Sequence, residues 1–278
     1  MTIEETIDLA LSEDLGDGDH TSLATIPSNA RGKAILTAKE NGILAGVQVA
    51  EQVFKKVDPS VRIDFQKNDG DQIQPGDVVF TVEGKSQLLL SSERTALNFI
   101  QRMSGIATFT HQIVQEINGL NTKLLDTRKT TACNRAIEKL AVKIGGGHNH
   151  RFGLYDMIMI KDNHVDFAGG IQEAIQATKS YLSKNGKNLQ IEIEVRNFKE
   201  LDEVLRIGGI NRIMLDNFTP ENLRTAVQLI NGRFETEASG GISINSIREY
   251  AETGVDYISV GALTHQIKSL DLSLTAVL

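Results

Sequence analysis

Six short apolar runs, at residues 123–126, 157–160, 190–195, 211–215, 234–238 and 256–260, recur through the second half of the chain. Helix-like stretches at 134–144, 171–183, 199–207, 220–230 and 244–253 separate most of them. Strand alternating with helix at this spacing calls for a parallel sheet, because the link between two parallel strands has to cross back over a sheet face. About 140 residues fall short of the about 250 that a full eight-stranded (β/α) barrel takes. The pattern predicts an open or shortened (β/α) barrel rather than a doubly wound sheet. In either arrangement ligands meet the carboxyl ends of the strands.

The first half reads differently. Ile3, Ile7, Ala10 and Leu11 have helical spacing, and the acidic, glycine-bearing stretch 13–22 then reads as a solvated turn. A calcium loop there lacks the ligand spacing of an EF-hand. Short runs rich in Val, Ile and Phe fill 33–85, broken by one helix at 47–57 and by turns at Gly70 and Pro75-Gly76. The turn chemistry around 68–84 is shared with biotinyl or lipoyl carriers, but no lysine sits at a hairpin tip. From Ser91 the period becomes helical, with Ser91 or Ser92 as cap, Arg94 in the first turn, a break at Gly105 and a second helix at 106–117. Fold class is therefore α/β: an N-terminal α/β domain over 1–104 and the barrel over 105–265, with 266–278 returning to the first domain.

Composition excludes several classes. The chain of 278 residues is 40% apolar and 23% charged with net charge −7, a globular protein with no footprint for bulk nucleic-acid binding. No apolar run reaches the 18 or so residues of a membrane span, and the acidic start is unlike a secretion signal. The single cysteine, Cys133, reads as a small structural side chain, and a reducing cytoplasmic setting fits.

Against this acidic background, residues 126–164 concentrate cations where apolar runs stop. The first run ends at Asp126, Arg128 and Lys129, the second at Lys161, and His150-Arg151 follow a triple glycine between them. Arginine fits carboxylate or phosphate bidentately and lysine acts as a point charge, so the group suits a small anion. An ion-pair network with Asp126, Asp156 and Asp162 is the alternative. Glu192 and Glu194 share one strand face, and Glu194 with Asp216 at the next strand end forms a carboxylate pair. Such a pair needs Lys161 or a divalent metal as partner, and could hold Mg²⁺ or sugar hydroxyls. Ser239-Gly240-Gly241 and Gly261-Ala262 end the last two strands, where phosphate commonly sits in (β/α) barrels. Neither a Walker loop nor a dinucleotide fingerprint is present, and His148-Asn149-His150 lacks the partners of a zinc site.

These stretches, in order, are EDLGDGDHTS, SERTALNFIQRMSGIAT, DTRKTT, EKLAV, GGGHNHRFGLYD, IKDNH, IEVRN, MLDNF, EASGGIS and VGALTH. Together they resemble the quinolinate phosphoribosyltransferases over most of the chain. The resemblance implies an N-terminal α/β sandwich domain, a C-terminal open barrel, and homodimers or larger assemblies whose sites are shared, with Arg94 reaching the partner's site. It implies that Arg128, His150, Arg151 and Lys161 hold the two carboxylates of quinolinate. Lys129, Glu194 and Asp216 would surround phosphoribosyl pyrophosphate and its Mg²⁺, and Ser239, Gly240, Gly241, Gly261 and Ala262 would cradle the 5′-phosphate. Lys161, Glu194 and Asp216 are the catalytic candidates, with Mg²⁺ carried mainly by substrate and no organic cofactor. The expected products are nicotinate mononucleotide, pyrophosphate and CO₂. A paralogous enzyme acting on another aromatic acid, or a Schiff-base aldolase using Lys161, are the rival readings. One departure stands out: the family's Pro-Gly-apolar sequence after DTRKTT is Ala132-Cys133-Asn134 here.

Overall fold

The structure, a computed structural model, describes residues 1–277. In chain order the elements are α1 (Ile3–Leu15), α2 (His20–Thr25), β1 (Arg31–Ala38), β2 (Gly42–Ile43), α3 (Val47–Val57), β3 (Arg62–Phe65), β4 (Gln72–Ile73), β5 (Val78–Lys85) and α4 (Ser86–Glu116). There follow β6 (Lys123–Leu125), α5 (Arg135–Ile144), β7 (Ile158–Ile160), α6 (Asp162–Ala168), α7 (Ile171–Lys184), β8 (Ile191–Val195), α8 (Phe198–Ile207) and β9 (Arg212–Asp216). The chain closes with α9 (Pro220–Ile230), β10 (Glu235–Ser239), α10 (Ile247–Ala251), β11 (Tyr257–Ser259), α11 (Ala262–His265) and β12 (Leu272–Val277). Two compact units result: Met1–His111, Lys129–Gly146 and the chain from Leu263 onward form one, and Gln112–Arg128 with Gly147–Ala262 form the other.

The first unit is built on an antiparallel sheet ordered β12-β1-β5-β3, so the end of the chain pairs with β1, from Lys33 opposite Val277 to Ala38 opposite Leu272. α1 begins at a capping box in which Thr2 and Glu5 exchange hydrogen bonds. The acidic turn expected at 13–22 ends earlier than predicted: Asp19 accepts from the Ser22 N–H and hydroxyl and starts α2. His20 is exposed there, 3.4 Å from the Asp17 carboxylate.

The expected pair of helices around Gly105 is instead one helix of 31 residues, α4. Ser91 and Ser92 do not cap it, since their hydroxyls donate back to the carbonyls of Gln87 and Leu88. Arg94 accordingly lies well inside the helix rather than in its first turn. Gly105 marks a close approach, not a break: a Cβ built there would stand 2.2 Å from the Lys268 carbonyl oxygen.

The second unit carries a six-stranded parallel sheet ordered β6-β11-β10-β9-β8-β7. From β7 to β11 each strand neighbours the next in sequence, and β6, the earliest, lies beside β11. That is the strand order of a barrel left open between β6 and β7, whereas a doubly wound sheet reverses direction in its middle. The sequence IEIEV of β8 is buried at all five positions. α10 starts at Ile247, three residues later than expected, so the glycines after β10 lie in a turn rather than at a helix start.

Candidate active site

At the end of β7 the chain passes through Lys161 in extended conformation and enters α6, where the Lys161 N–H donates to His164 Nδ1 at 2.9 Å. Lys161 Nζ then reaches across to β8 and pairs with Glu194 Oε2 at 2.9 Å. The Glu194 side chain is 9% exposed and that of Lys161 46%, so a buried carboxylate is neutralised by a cation open to solvent on its far side. This commitment differs from the apolar surroundings that free a lysine amine for Schiff-base chemistry.

Between α5 and β7 the chain forms no helix and no named strand, and several of its amides are satisfied by side chains. Four consecutive N–H groups donate in this way. His150 N–H goes to Asp126 Oδ1 at 2.8 Å, Arg151 N–H to His150 Nδ1 at 2.6 Å, Phe152 N–H to Asp156 Oδ2 at 2.6 Å and Gly153 N–H to Asp156 Oδ1 at 2.8 Å. The Arg151 guanidinium is tied to the Met157 carbonyl at 3.2 Å. Burial, and next the charge of Arg128, lower the pKa of Arg151, which means that two cations are held close enough to repel. A small dianion relieves such a pair.

Beneath Arg151 lies a cluster of charge that is almost wholly inside the sheet. His150 Nε2 is 2.9 Å from Glu192 Oε2 and 3.2 Å from Glu237 Oε2, both from carboxylates with fully buried side chains. Arg212 joins Glu237 at 3.1 Å and Glu235 at 2.9 Å, and its guanidinium stacks 4.0 Å from the centre of the Tyr257 ring. Burial opposes a charged imidazole, but the hydrogen bonds and charges of Glu192 and Glu237 outweigh it and pull His150 up to about 9. Burial and then the charge of Glu237 push Glu192 up to about 7. The two rises belong to the cluster as a whole rather than to either residue alone. A second ring proton would sit on Nδ1, where the Arg151 N–H already donates, so the geometry holds the ring in its Nε2–H form against the upward pull. The same geometry, with Nδ1 as an acceptor, makes Nε2 the ring's proton carrier and leaves it no lone pair for a metal ion, although the three side chains have metal-like proximity.

Of the residues singled out from sequence, Arg128, His150, Arg151, Lys161, Glu194, Asp216, Ser239, Gly240, Gly241, Gly261 and Ala262 all lie in the second unit, and Arg94 and Lys129 lie in the first. Asp216 is the last residue of β9 and stands in register with Ser239, the last of β10. Gly240 and Gly241 have φ of +98° and +63°, and a Cβ on Gly240 would fall 2.2 Å from Asn217 Oδ1 and 2.9 Å from Asn217 N. Only glycine lets these two strand ends close together. Asn217 Nδ2 donates to Asp216 Oδ2 at 2.6 Å. Gly261 precedes α11, which starts at Ala262. Arg94 is exposed on α4, and the Lys129 carbonyl accepts from the Thr264 hydroxyl at 2.7 Å. Sequence reasoning missed Glu237 and Arg212. Both are buried within their strands, Arg212 at the start of β9 and Glu237 in the middle of β10.

The family models for quinolinate phosphoribosyl transferase match along the chain, the N-terminal domain over residues 19–104 and the C-terminal domain over 106–275. The chain belongs to the quinolinate phosphoribosyltransferase family. "Quinolinate phosphoribosyltransferase [decarboxylating] 1b" of Nicotiana tabacum is 45% identical, covering 98% of this chain and 81% of the relative. "Probable nicotinate-nucleotide pyrophosphorylase [carboxylating]" of Bacillus subtilis (strain 168) is 43% identical over 96% of this chain and 90% of the relative. The crystal structure of NadC from Streptococcus pyogenes superposes with a TM-score of 0.92 at 40% identity, covering 99% of this chain and 97% of that one. The nicotinate-nucleotide pyrophosphorylase of Francisella tularensis gives 0.91 at 39% identity, covering 99% and 96%.

Compared with the Pro-Gly pattern of other quinolinate phosphoribosyltransferases, Ala132-Cys133-Asn134 keeps the turn with unusual residues. The Asn134 N–H donates to the Thr131 carbonyl at 3.2 Å, and Cys133 takes φ of +62°. Proline followed by glycine suits the two central places of a turn whose second central residue has positive φ. Here cysteine takes the left-handed place. Glu138 holds the turn from within the same unit, accepting from the Thr131 N–H and hydroxyl and from Arg102.

Proposed function

We propose that this enzyme transfers the phosphoribosyl group of phosphoribosyl pyrophosphate to quinolinate and releases CO₂, giving nicotinate mononucleotide and pyrophosphate for NAD biosynthesis. The observation that carries the reading is the pair of mutually repelling cations, Arg128 and Arg151, in the same unit as the Lys161–Glu194 pair at the strand ends. Quinolinate brings two carboxylates, and nicotinate, with one, leaves part of that positive charge uncompensated.

In this reading Arg128, Arg151 and Lys161 bind the dicarboxylate, with His150 in the same pocket, and Arg94 completes it from a partner subunit. Lys129, Asp216 and Glu194 face the ribose and pyrophosphate, and Ser239, Gly240, Gly241, Gly261 and Ala262 take the 5′-phosphate. Pyrophosphate leaves C1 with the electrons of the C–O bond, and Glu194 and Asp216 stabilise the cationic sugar. The pyridine nitrogen bonds to C1 and becomes positively charged. The C2 carboxylate then departs as CO₂, its bonding electrons stay at C2 beside that nitrogen, and a proton from water replaces it.

Two carboxylates at the ends of neighbouring strands are hard oxygen donors that suit Mg²⁺. Glu194 is already shared with Lys161, so Asp216 is the freer donor and substrate oxygens supply the rest. When bound, Mg²⁺ neutralises charge gathering on pyrophosphate. A homodimer is supported by Leu154, Tyr155 and Phe167, large apolar side chains that are 69%, 71% and 92% exposed in and near the Arg151 segment. A single cysteine suits a cytoplasmic setting, and no helix among the described residues is long and apolar enough to cross a membrane.

Purified enzyme should form nicotinate mononucleotide from quinolinate, phosphoribosyl pyrophosphate and Mg²⁺, and little from nicotinate. Turnover of nicotinate with none of quinolinate would overturn the assignment.

A further inference from the structure

His150 stands in the quinolinate pocket by sequence position, yet its side chain is only 4% exposed and both ring nitrogens are engaged within the second unit. Nδ1 accepts the Arg151 N–H, and Nε2 faces Glu192 and Glu237. An imidazole that accepts at Nδ1 must carry its proton on Nε2, and two buried carboxylates at 2.9 and 3.2 Å are what favour that tautomer. Both Glu192 carboxylate oxygens are buried, and Oε2 lies 2.9 Å from Nε2. Glu237 is braced by Arg212, which is itself fixed by Glu235 and the Tyr257 ring.

The consequence reaches Arg151 through the backbone. Its N–H is one of four successive amides, from His150 to Gly153, that tie an irregular segment to side-chain acceptors. With the other tautomer, Nδ1–H and the Arg151 N–H would be two donors 2.6 Å apart, and the segment would have to move. We propose that Glu192 and Glu237 are positioning residues, which lock His150 as the Nε2–H tautomer so that its Nδ1 fixes the segment presenting Arg151 to a substrate carboxylate. His150 thus serves the acid indirectly, as the hinge between a buried anion pair and the arginine. This role rests on quinolinate being the substrate.

Two measurements test it. In the whole enzyme labelled with ¹⁵N-histidine, with the resonance assigned by its loss in His150→Asn, the His150 ring should show a protonated Nε2 and an unprotonated Nδ1 near pH 7.5. A protonated Nδ1 would overturn the proposal, and this arm needs neither turnover nor a variant in the carboxylates. In the double variant Glu192→Gln/Glu237→Gln, which keeps side-chain volume, KM for quinolinate should rise about 10-fold or more, while KM for phosphoribosyl pyrophosphate and kcat move by less than about 3-fold. An unchanged quinolinate KM, or an equal worsening of all three constants, would contradict it. Failure of the functional reading would instead show as wild-type enzyme that does not turn over quinolinate, whatever the ring's tautomer.

Discussion

Cys133 sits at φ +62°, where a side chain costs about 1–2 kcal/mol that glycine does not incur. Replacing it by glycine returns part of this to the unfolded chain's greater freedom, so Cys133→Gly should stabilise by about 0.5–1 kcal/mol, read as a higher urea midpoint. A lower midpoint would show that the cysteine side chain contributes contacts of its own. Arg128→Ala and Arg151→Ala each remove a charged partner of the acid and should raise KM for quinolinate by roughly 10- to 100-fold, with a smaller effect on phosphoribosyl pyrophosphate. Glu192 supplies a pH effect whose sign follows from its raised pKa. The folded state keeps a proton that the unfolded chain gives up at ordinary glutamate pH, so this contribution is complete below about 4.5 and is lost as pH rises through about 7. Glu192→Gln mimics the protonated form permanently. Wild type should therefore lose on the order of 2 kcal/mol relative to that variant between pH 5.5 and 8, and a pH-independent difference would contradict the assignment. Residues at strand ends, such as Arg128, Lys161 and Asp216, were legible because polarity interrupts apolar runs there. Glu237 and Arg212 were not, because a buried charge declares itself only through the partner that another strand brings to it.

Helix α4 shows how an element boundary escapes sequence reading. Glycine at 105 and serines at 91 and 92 carry the local signals of a break and a cap, yet the helix runs unbroken from Ser86 to Glu116. Packing overrides those signals: the Lys268 carbonyl approaches position 105 so closely that a methyl group would overlap it. Gly105→Ala, favourable by helix propensity, should instead destabilise by about 1–3 kcal/mol in urea unfolding, since the last segment of the chain must give way. A stabilised variant would mean that this segment moves freely. By contrast, α3 and α9 were read at their observed bounds, 47–57 and 220–230. α3 shows a strong amphipathic pattern, and α9 has Thr219 capping Asn222 with Pro220 in its first turn.

At the scale of the molecule, strand order separates the two architectures that the repeating βα pattern allows. Repetition and length pointed to a shortened barrel, and the sheet order β6-β11-β10-β9-β8-β7 supplies the opening between β6 and β7 that periodicity alone could not locate. The shared-site proposal belongs to this scale as well. If Arg94 serves a partner's site, mixing inactive Arg94→Ala with inactive Lys161→Ala enzyme under subunit exchange should restore up to about a quarter of wild-type activity, because mixed dimers hold one intact site. No recovery would confine each site to one chain. The most direct test of the whole reading uses quinolinate labelled with ¹³C in its C2 carboxylate. The account expects one labelled CO₂ for each pyrophosphate released, and none when phosphoribosyl pyrophosphate is withheld. Labelled CO₂ without the phosphoribosyl donor, or pyrophosphate released with the carboxylate retained, would contradict it.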